Sequence, residues 1–150
     1  MRLAGQYGDG LISDPSSWKK YKPEWEDGAR AAGKNPGDMP VLIEHYAVVG
    51  DEAAAKQAAE YWRFGPKAWK SLFDVRDPAA IQQQADAQTP LDEVLKSWAV
   101  GTDPSVHVNA VRELFDSGAT IVNIHSGQPD QKKVIEFYGT HVLPKFRQPA

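Results

Sequence analysis

Residues Val41 to Val49, Val-Leu-Ile-Glu-His-Tyr-Ala-Val-Val, are the strongest strand signal in the chain. The run is rich in β-branched and apolar residues and does not alternate. That pattern fits a strand covered on both faces, as in a parallel sheet. Gly50-Asp51 follows at once, with Asp51 placed as a helix cap and Glu52 at the positive end of the helix dipole. The helix from Glu52 to about Phe64 is alanine-rich and closes at Gly65-Pro66. A buried strand feeding a capped helix is the repeating unit of parallel α/β folds, so the fold class read here is α/β.

The flanking sequence repeats this order. A short strand, Leu11–Ser13, follows the tight turn at Gly8-Asp9-Gly10 and a polar loop, Asp14 to Ser17, comes next. A helix is expected from about Trp18 to Ala32, interrupted by Pro23 and stopped by Gly33-Lys34-Asn35-Pro36-Gly37. Asp77-Pro78 opens a helix to about Asp86, and Thr89-Pro90 opens another that ends near Trp98. Thr102-Asp103-Pro104 starts a helix whose apolar face is Val108, Val111, Leu114 and Phe115. A third strand is expected at Ala119–Ile124. A last helix runs from about Asp130 to Lys145, with Val134, Phe137, Tyr138 and Val142 on one side.

Composition narrows the function classes. The chain has 150 residues and a net charge of −3, so it has no general attraction to phosphate backbones, and nucleic acid is not an expected partner. The mixture of Lys19, Lys20 and Lys22 with Trp18, Tyr21 and Trp25 reads as a solvated amphipathic helix. There is no cysteine, which excludes disulfides and a thiol nucleophile. No His, Asp and Glu set has metal-ligand spacing, and no metal is expected. No apolar run reaches the roughly 20 residues of a membrane span. The first residues lack the apolar stretch of a signal peptide, so a cytoplasmic location without membrane contact is expected.

Three strands rarely make a comfortable sheet with both faces covered. The opening residues, Arg2 to Gly5, look like the end of a helix feeding a strand. Both features suggest the C-terminal part of a larger (β/α) barrel.

Leu3-Ala4-Gly5-Gln6-Tyr7-Gly8-Asp9-Gly10-Leu11-Ile12 resembles the helix-to-strand joint of the bacterial luciferase-like flavin and deazaflavin oxidoreductases. Further stretches fit their glucose-6-phosphate dehydrogenase-like branch, which uses coenzyme F-420 (F420). These are Val41–Val49 before Gly50-Asp51, Lys96-Ser97-Trp98 before Thr102-Asp103-Pro104, Val122-Asn123-Ile124-His125 before Asp130-Gln131, and Val142-Leu143-Pro144-Lys145-Phe146-Arg147. They occur in order, with nearly constant spacing, over essentially the whole chain.

The resemblance implies a (β/α)8 TIM barrel of which residues 1–150 are one partial domain. The chain would supply the last three parallel strands and their helices, with a helical insertion at about 65–100. The implied activity is transfer of hydride from a substrate carbinol carbon to coenzyme F-420. A luciferase-like monooxygenase segment using FMN is the nearest alternative, and a stand-alone, non-catalytic α/β ligand-binding module is the other. A homodimer is allowed in the full-length enzyme. In the family, the acid and base beside the deazaflavin lie on early strands, and the loop for the cofactor's phosphate side precedes the first residue here. No catalytic residue is therefore expected in this chain, and 150 residues alone should be inactive and marginally stable.

What remains is part of a substrate wall at the C-terminal ends of the strands. The candidate residues are Ser13, Ser17, Lys19, Glu44, His45, Lys70 and His125. Glu44, in so apolar a strand, must be paired or face a wet site. His45 either faces a barrel interior or is a structural histidine, and one sequence does not fix which of the two neighbours points inward. His125 ends a strand where the family also has a His. His107 and His141 read as surface or packing residues. Where sugar-phosphate members carry basic residues, this chain has Ser97, Ser16 or Ser17, and Leu72, with Lys19 and Lys70 nearby in sequence. A phosphate dianion needs fixed positive donors, so the expected small-molecule substrate is uncharged, an alcohol or an unphosphorylated sugar.

Overall fold

A computed structural model describes residues 1–67 and 71–147. It is a mixed α/β chain with four strands in one sheet. β2 (Val41–Val48) joins all the others. β1 (Leu11–Ser13) lies parallel to it in the register Leu11↔Val41, Ile12↔Leu42, Ser13↔Ile43. β3 (Ala99–Val100) is also parallel, with Ala47↔Ala99 and Val48↔Val100. β4 (Ile121–Ser126) pairs with β2. The Thr120 N–H donates to the Val41 carbonyl and the Gly127 N–H to the Ala47 carbonyl, each at 2.9 Å. Residue numbers rise together along both chains, so this pair is parallel too. The expected pairings of Leu11–Ser13 and of the third strand with Val41–Val49 are both present. Among the described residues, no helix is long and apolar enough to cross a membrane.

Residues fall into two compact units, Met1–His45 with Asn109–His125, and Tyr46–Val108 with Ser126–Ala150. In the first, α1 (Arg2–Tyr7) packs on α2 (Pro15–Ala31). The contact is backbone to backbone. A Cβ on Gly5 would strike the Trp25 carbonyl, and one on Gly28 the Arg2 carbonyl. Trp18, Trp25 and Ala29 of α2 bury against Val41, Ile43, Leu114 and Ala119, with Leu11 and Val122 beside them. Burial of such large side chains stabilises by roughly 1.5–3 kcal/mol each. The Trp18 Nε1–H donates to the Ser117 carbonyl at 3.2 Å and hydroxyl at 3.1 Å, and the Lys22 ammonium donates to the same carbonyl at 2.8 Å.

α2 departs from expectation at both points where a break was read. It begins at Pro15, because the Asp14 carboxylate accepts from the Ser16 and Ser17 N–H groups at 2.9 Å and Pro15 gives up a donor that the first turn does not use. It also continues through Pro23. Trp18 and Trp25, two turns apart on one face, pack edge to face with centroids 5.6 Å apart, and their burial offsets the lost backbone bond.

The reading of β2 as covered on both faces is corrected. Val41, Ile43, His45 and Ala47 are buried, whereas Leu42, Glu44 and Tyr46 are half-exposed. The apolar partners supplied by α2 and by Leu114 and Ala119 reach only the Val41 and Ile43 side.

In the second unit α3 (Glu52–Glu60) is capped by Asp51, whose carboxylate accepts from the Ala54 N–H at 2.9 Å. α3 ends before the expected Phe64. α4 (Pro78–Gln88), capped by Asp77, and α5 (Leu91–Leu95) bear out the helical reading of 65–100 in part. That segment is not purely an insertion, because it ends in β3, which joins the sheet. Val48, Ala55 and Ala58 form a small core with Leu95, Trp98 and Val100. α6 (Pro104–Asp116) contributes His107, which is fully buried, so of the surface and packing readings it takes the packing one. α7 (Gln131–Phe137) is followed by a wide π turn at Tyr138–Val142 and a 3-10 turn at Leu143–Lys145, in place of one regular helix to Lys145.

Candidate functional site

Side chains alternate across a strand, and directly paired residues of parallel strands share a face. In the first unit this puts Ile12 of β1 beside Leu42 of β2, and Glu44 two positions further on the same side. His125 of β4 reaches Glu44 across the strands, with Nε2 3.3 Å from the Glu44 carboxylate. Asn123 and Ile121 share the His125 side of β4 by alternation. The Asn123 amide nitrogen lies 3.3 Å from the same Nε2. The result is an open sheet face with an apolar part, Ile12 (69% exposed) and Ile121 (49% exposed), and a polar part, Glu44, Asn123 and His125.

The structure therefore brings two of the candidate residues together, Glu44 and His125. His45 is 7% exposed and lies on the other side of β2, with Ile43. Ser13 pairs with Ile43 and so faces away from Glu44. Ser17 sits in the first turn of α2, where its N–H serves the Asp14 cap. Burial pushes the Asp14 carboxyl up, but hydrogen bonds from Ser16 and Ser17, side chain and backbone, outweigh it and hold the group below its usual value. Lys19 is exposed on α2. Lys70 lies outside the described residues.

Sequence reasoning did not single out Asn123, although a polar residue two positions before a strand-end His is placed on its face by alternation alone. It also missed an aromatic cluster in the second unit. Tyr46 stacks on Trp98, with centroids 5.1 Å apart and planes 12° apart, and meets Trp62 edge-on at 4.9 Å. The Trp62 Nε1–H donates to the Gly127 carbonyl at 3.2 Å. A Cβ on Gly127 would collide with the Trp98 ring, so glycine is required for this close approach. A shallow groove of about 510 Å³ in the same unit is lined by Asp51, Leu95, Trp98, Thr102 and Val106, among others.

Among the described residues, no group of three or more His, Cys, Asp or Glu side chains has a metal-binding arrangement. The open face of the first unit carries Ile12, Leu42, Glu44, Ile121, Asn123 and His125, with no Lys or Arg among them.

No protein-family model matches the chain. It is 42% identical over 147 residues to the F420-dependent hydroxymycolic acid dehydrogenase of Mycobacterium tuberculosis, covering 97% of this chain and 39% of that protein. It is 29% identical over 153 residues to the F420-dependent glucose-6-phosphate dehydrogenase of Mycolicibacterium gilvum, covering 98% of this chain and 45% of the relative. Among solved structures it superposes on an F420-dependent secondary alcohol dehydrogenase in complex with an F420-acetone adduct. The TM-score there is 0.83 at 27% identity, with 98% of this chain and 46% of the other covered. The homologues of this chain are thus F420-dependent dehydrogenases of the luciferase-like fold, as the sequence resemblance implied. The chain spans less than half the length of each of these relatives.

Proposed function

We propose that this chain is the part of an F420-dependent oxidoreductase that supplies the last three strand–helix units of a (β/α)8 barrel and one wall of its substrate site. In this reading residues 1–150 are one partial domain, and the reaction removes hydride from the carbinol carbon of a neutral alcohol. The observation that carries the dehydrogenase reading is the 42% identity, spread over 97% of the chain, to an F420-dependent hydroxymycolic acid dehydrogenase. Bound F420 would supply the hydride acceptor.

The chain's own residues act as wall and selector. Ile12, Leu42 and Ile121 offer apolar contact and exclude water, while Glu44 and His125 offer hydrogen bonds to a hydroxyl. The bias toward an uncharged substrate has support from two places. Leu72 stands where sugar-phosphate members carry a Lys, and at 3% exposure it packs inside rather than meeting an anion. Glu44 adds a carboxylate to the open face, which repels a phosphate.

The test is a chimera in which residues 1–147 replace the matching segment of the secondary alcohol dehydrogenase. Reduction of F420 by a secondary alcohol, with little or none by glucose 6-phosphate, is expected. A folded chimera that prefers the phosphorylated sugar would overturn the substrate assignment, and one that reduces no F420 with any alcohol would overturn the function.

A further inference from the structure

The groove of about 510 Å³ is lined wholly by residues of the second unit. Its size falls among small-molecule sites, which run from about 300 to 1,000 Å³. It lies just past the C-terminal ends of β2 and β3, at Gly50 and Gly101, and parallel α/β folds bind ligands at such strand ends. Ala55, Leu95, Trp98, Val100 and Val106 give it apolar surface. Val106 is 40% exposed, and Leu95, Trp98 and Val100 are half-buried, so each keeps apolar surface open to a ligand.

The polar part of the lining rejects other ligand classes. Among the described residues its only charged side chains are Asp51 and Glu52, both acidic, which disfavours a carboxylate or a phosphate. The N-terminus of α3 would attract an anion, but the Asp51 carboxylate already accepts from the Ala54 N–H there. Glu52 pairs with Lys56 at 2.6 Å. Thr102 and the Trp98 indole are the only neutral hydrogen-bonding side chains in the lining, few for the many hydroxyls of a sugar. The walls are preformed. The Gly101 N–H donates to the Val48 carbonyl at 3.1 Å, the Trp98 N–H donates to the Leu95 carbonyl at 3.0 Å, and Tyr46 stacks on the Trp98 indole. Little ordering is left for a ligand to impose.

We infer that this groove is an alkyl subsite, which holds a saturated hydrocarbon segment of an uncharged alcohol, and that Val106 sets its preference for chain length. This deepens the proposed function and rests on it for the alcohol. A hydrocarbon segment is the occupant that needs apolar walls, carries no charge for Asp51 and Glu52 to repel, and leaves no hydrogen bond unmet.

Two measurements keep the subsite and the function apart. The first is methyl NMR of the 150-residue chain and of the chimera, labelled at Ile, Leu and Val and titrated with 2-octanol or 2-propanol. It needs neither cofactor nor turnover. Expected are saturable shifts of the Leu95, Val100 and Val106 methyls with 2-octanol, an affinity for 2-propanol at least about tenfold weaker, and loss of the 2-octanol shifts in Val106→Asp. The second is the ratio of kcat/KM for 2-octanol to that for 2-propanol in the chimera. Val106→Asp should lower this ratio about tenfold, and Val106→Leu, which keeps the surface apolar, should hold it within about threefold. If Val106→Asp does not fold, Thr102→Asp brings the same charge to the groove from an exposed position. No saturable shift with 2-octanol, or shifts confined to Ile12, Leu42 and Ile121, overturns the subsite. An active chimera whose ratio ignores the introduced carboxylate also overturns it, while leaving the proposed function standing. A chimera that reduces no F420 counts against the function, and the NMR titration still decides the subsite.

Discussion

The Tyr138 hydroxyl lies 2.9 Å from His107 Nδ1, and His107 Nε2 lies 3.0 Å from the Gly101 carbonyl. A carbonyl only accepts, so Nε2 carries the ring hydrogen and Nδ1 accepts from the phenol. The two rings also meet edge to face, with centroids 5.3 Å apart, and Phe137 closes on His107 from α7 at 5.1 Å. His107 is fully buried, so this network ties α6 to the π turn without access to water.

Tyr138→Phe deprives Nδ1 of its donor and should lower the unfolding free energy of the chain by about 1–3 kcal/mol, measured by urea denaturation. His107→Ala removes the ring as well and should cost more.

Burial raises the Tyr138 pKa above its ordinary 10.0. The protonated phenol is favoured in the folded state, so its contribution is complete below pH 10.0 and is lost as pH rises through and beyond that value, where the unfolded chain ionises first. A stability-against-pH series should bend downward above that pH, and Tyr138→Phe should flatten the bend.

Asp14 has the opposite sign. Its carboxyl is held below the ordinary 3.8, so its contribution is present above 3.8 and is lost as pH falls below that value. Asp14→Ala should cost about 1 kcal/mol near neutral pH, the usual worth of an N-cap, and should have little further effect in acid. Thermal melts at the two pH values compare them directly.

Gly5→Ala and Gly28→Ala each push a methyl into a carbonyl of the facing helix. Neither carbonyl moves without displacing its helix, so each change should destabilise by about 1–3 kcal/mol or more, despite alanine's better helix propensity. Circular dichroism melts of the two variants check this, and a Tm at or above that of the parent would contradict the tight crossing.

The open face of β1, β2 and β4 leaves Ile12 and Ile121 in solvent. The 150 residues by themselves should associate or melt broadly, and should give no absorbance change with F420 and a panel of alcohols. A sharp melt independent of concentration in sedimentation-checked monomer, or turnover above buffer, contradicts this.

Much of this was legible because local rules and tertiary structure agree. β2 is found within one residue of its expected end, and Asp51, Asp77 and Asp130 cap helices where Asp precedes a helical pattern. The side of β2 that faces outward was not legible. Glu44 and His45 are neighbours of equal polarity, and only the register Ile12↔Leu42 and the reach of His125 decide between them. β3 escaped because two residues, Ala99 and Val100, carry no period, and their strand character comes wholly from pairing with Ala47 and Val48. Pro23 misled for the reverse reason, since the burial of Trp18 and Trp25 overrides a local helix breaker.

That β2 takes part in every strand pairing has a consequence for synthesis. Its pairings are all with segments distant in sequence, and the Val41 N–H waits for the hydroxyl of Thr120, 79 residues later. Such non-local parallel contacts form slowly, because a long loop must close before any of them is made. On the ribosome, Val41–Val48 therefore emerges with one flank unmatched and stays so for the several seconds needed to translate through β4, at about 5–20 residues per second. This is the interval in which a nascent chain of this kind most needs a chaperone.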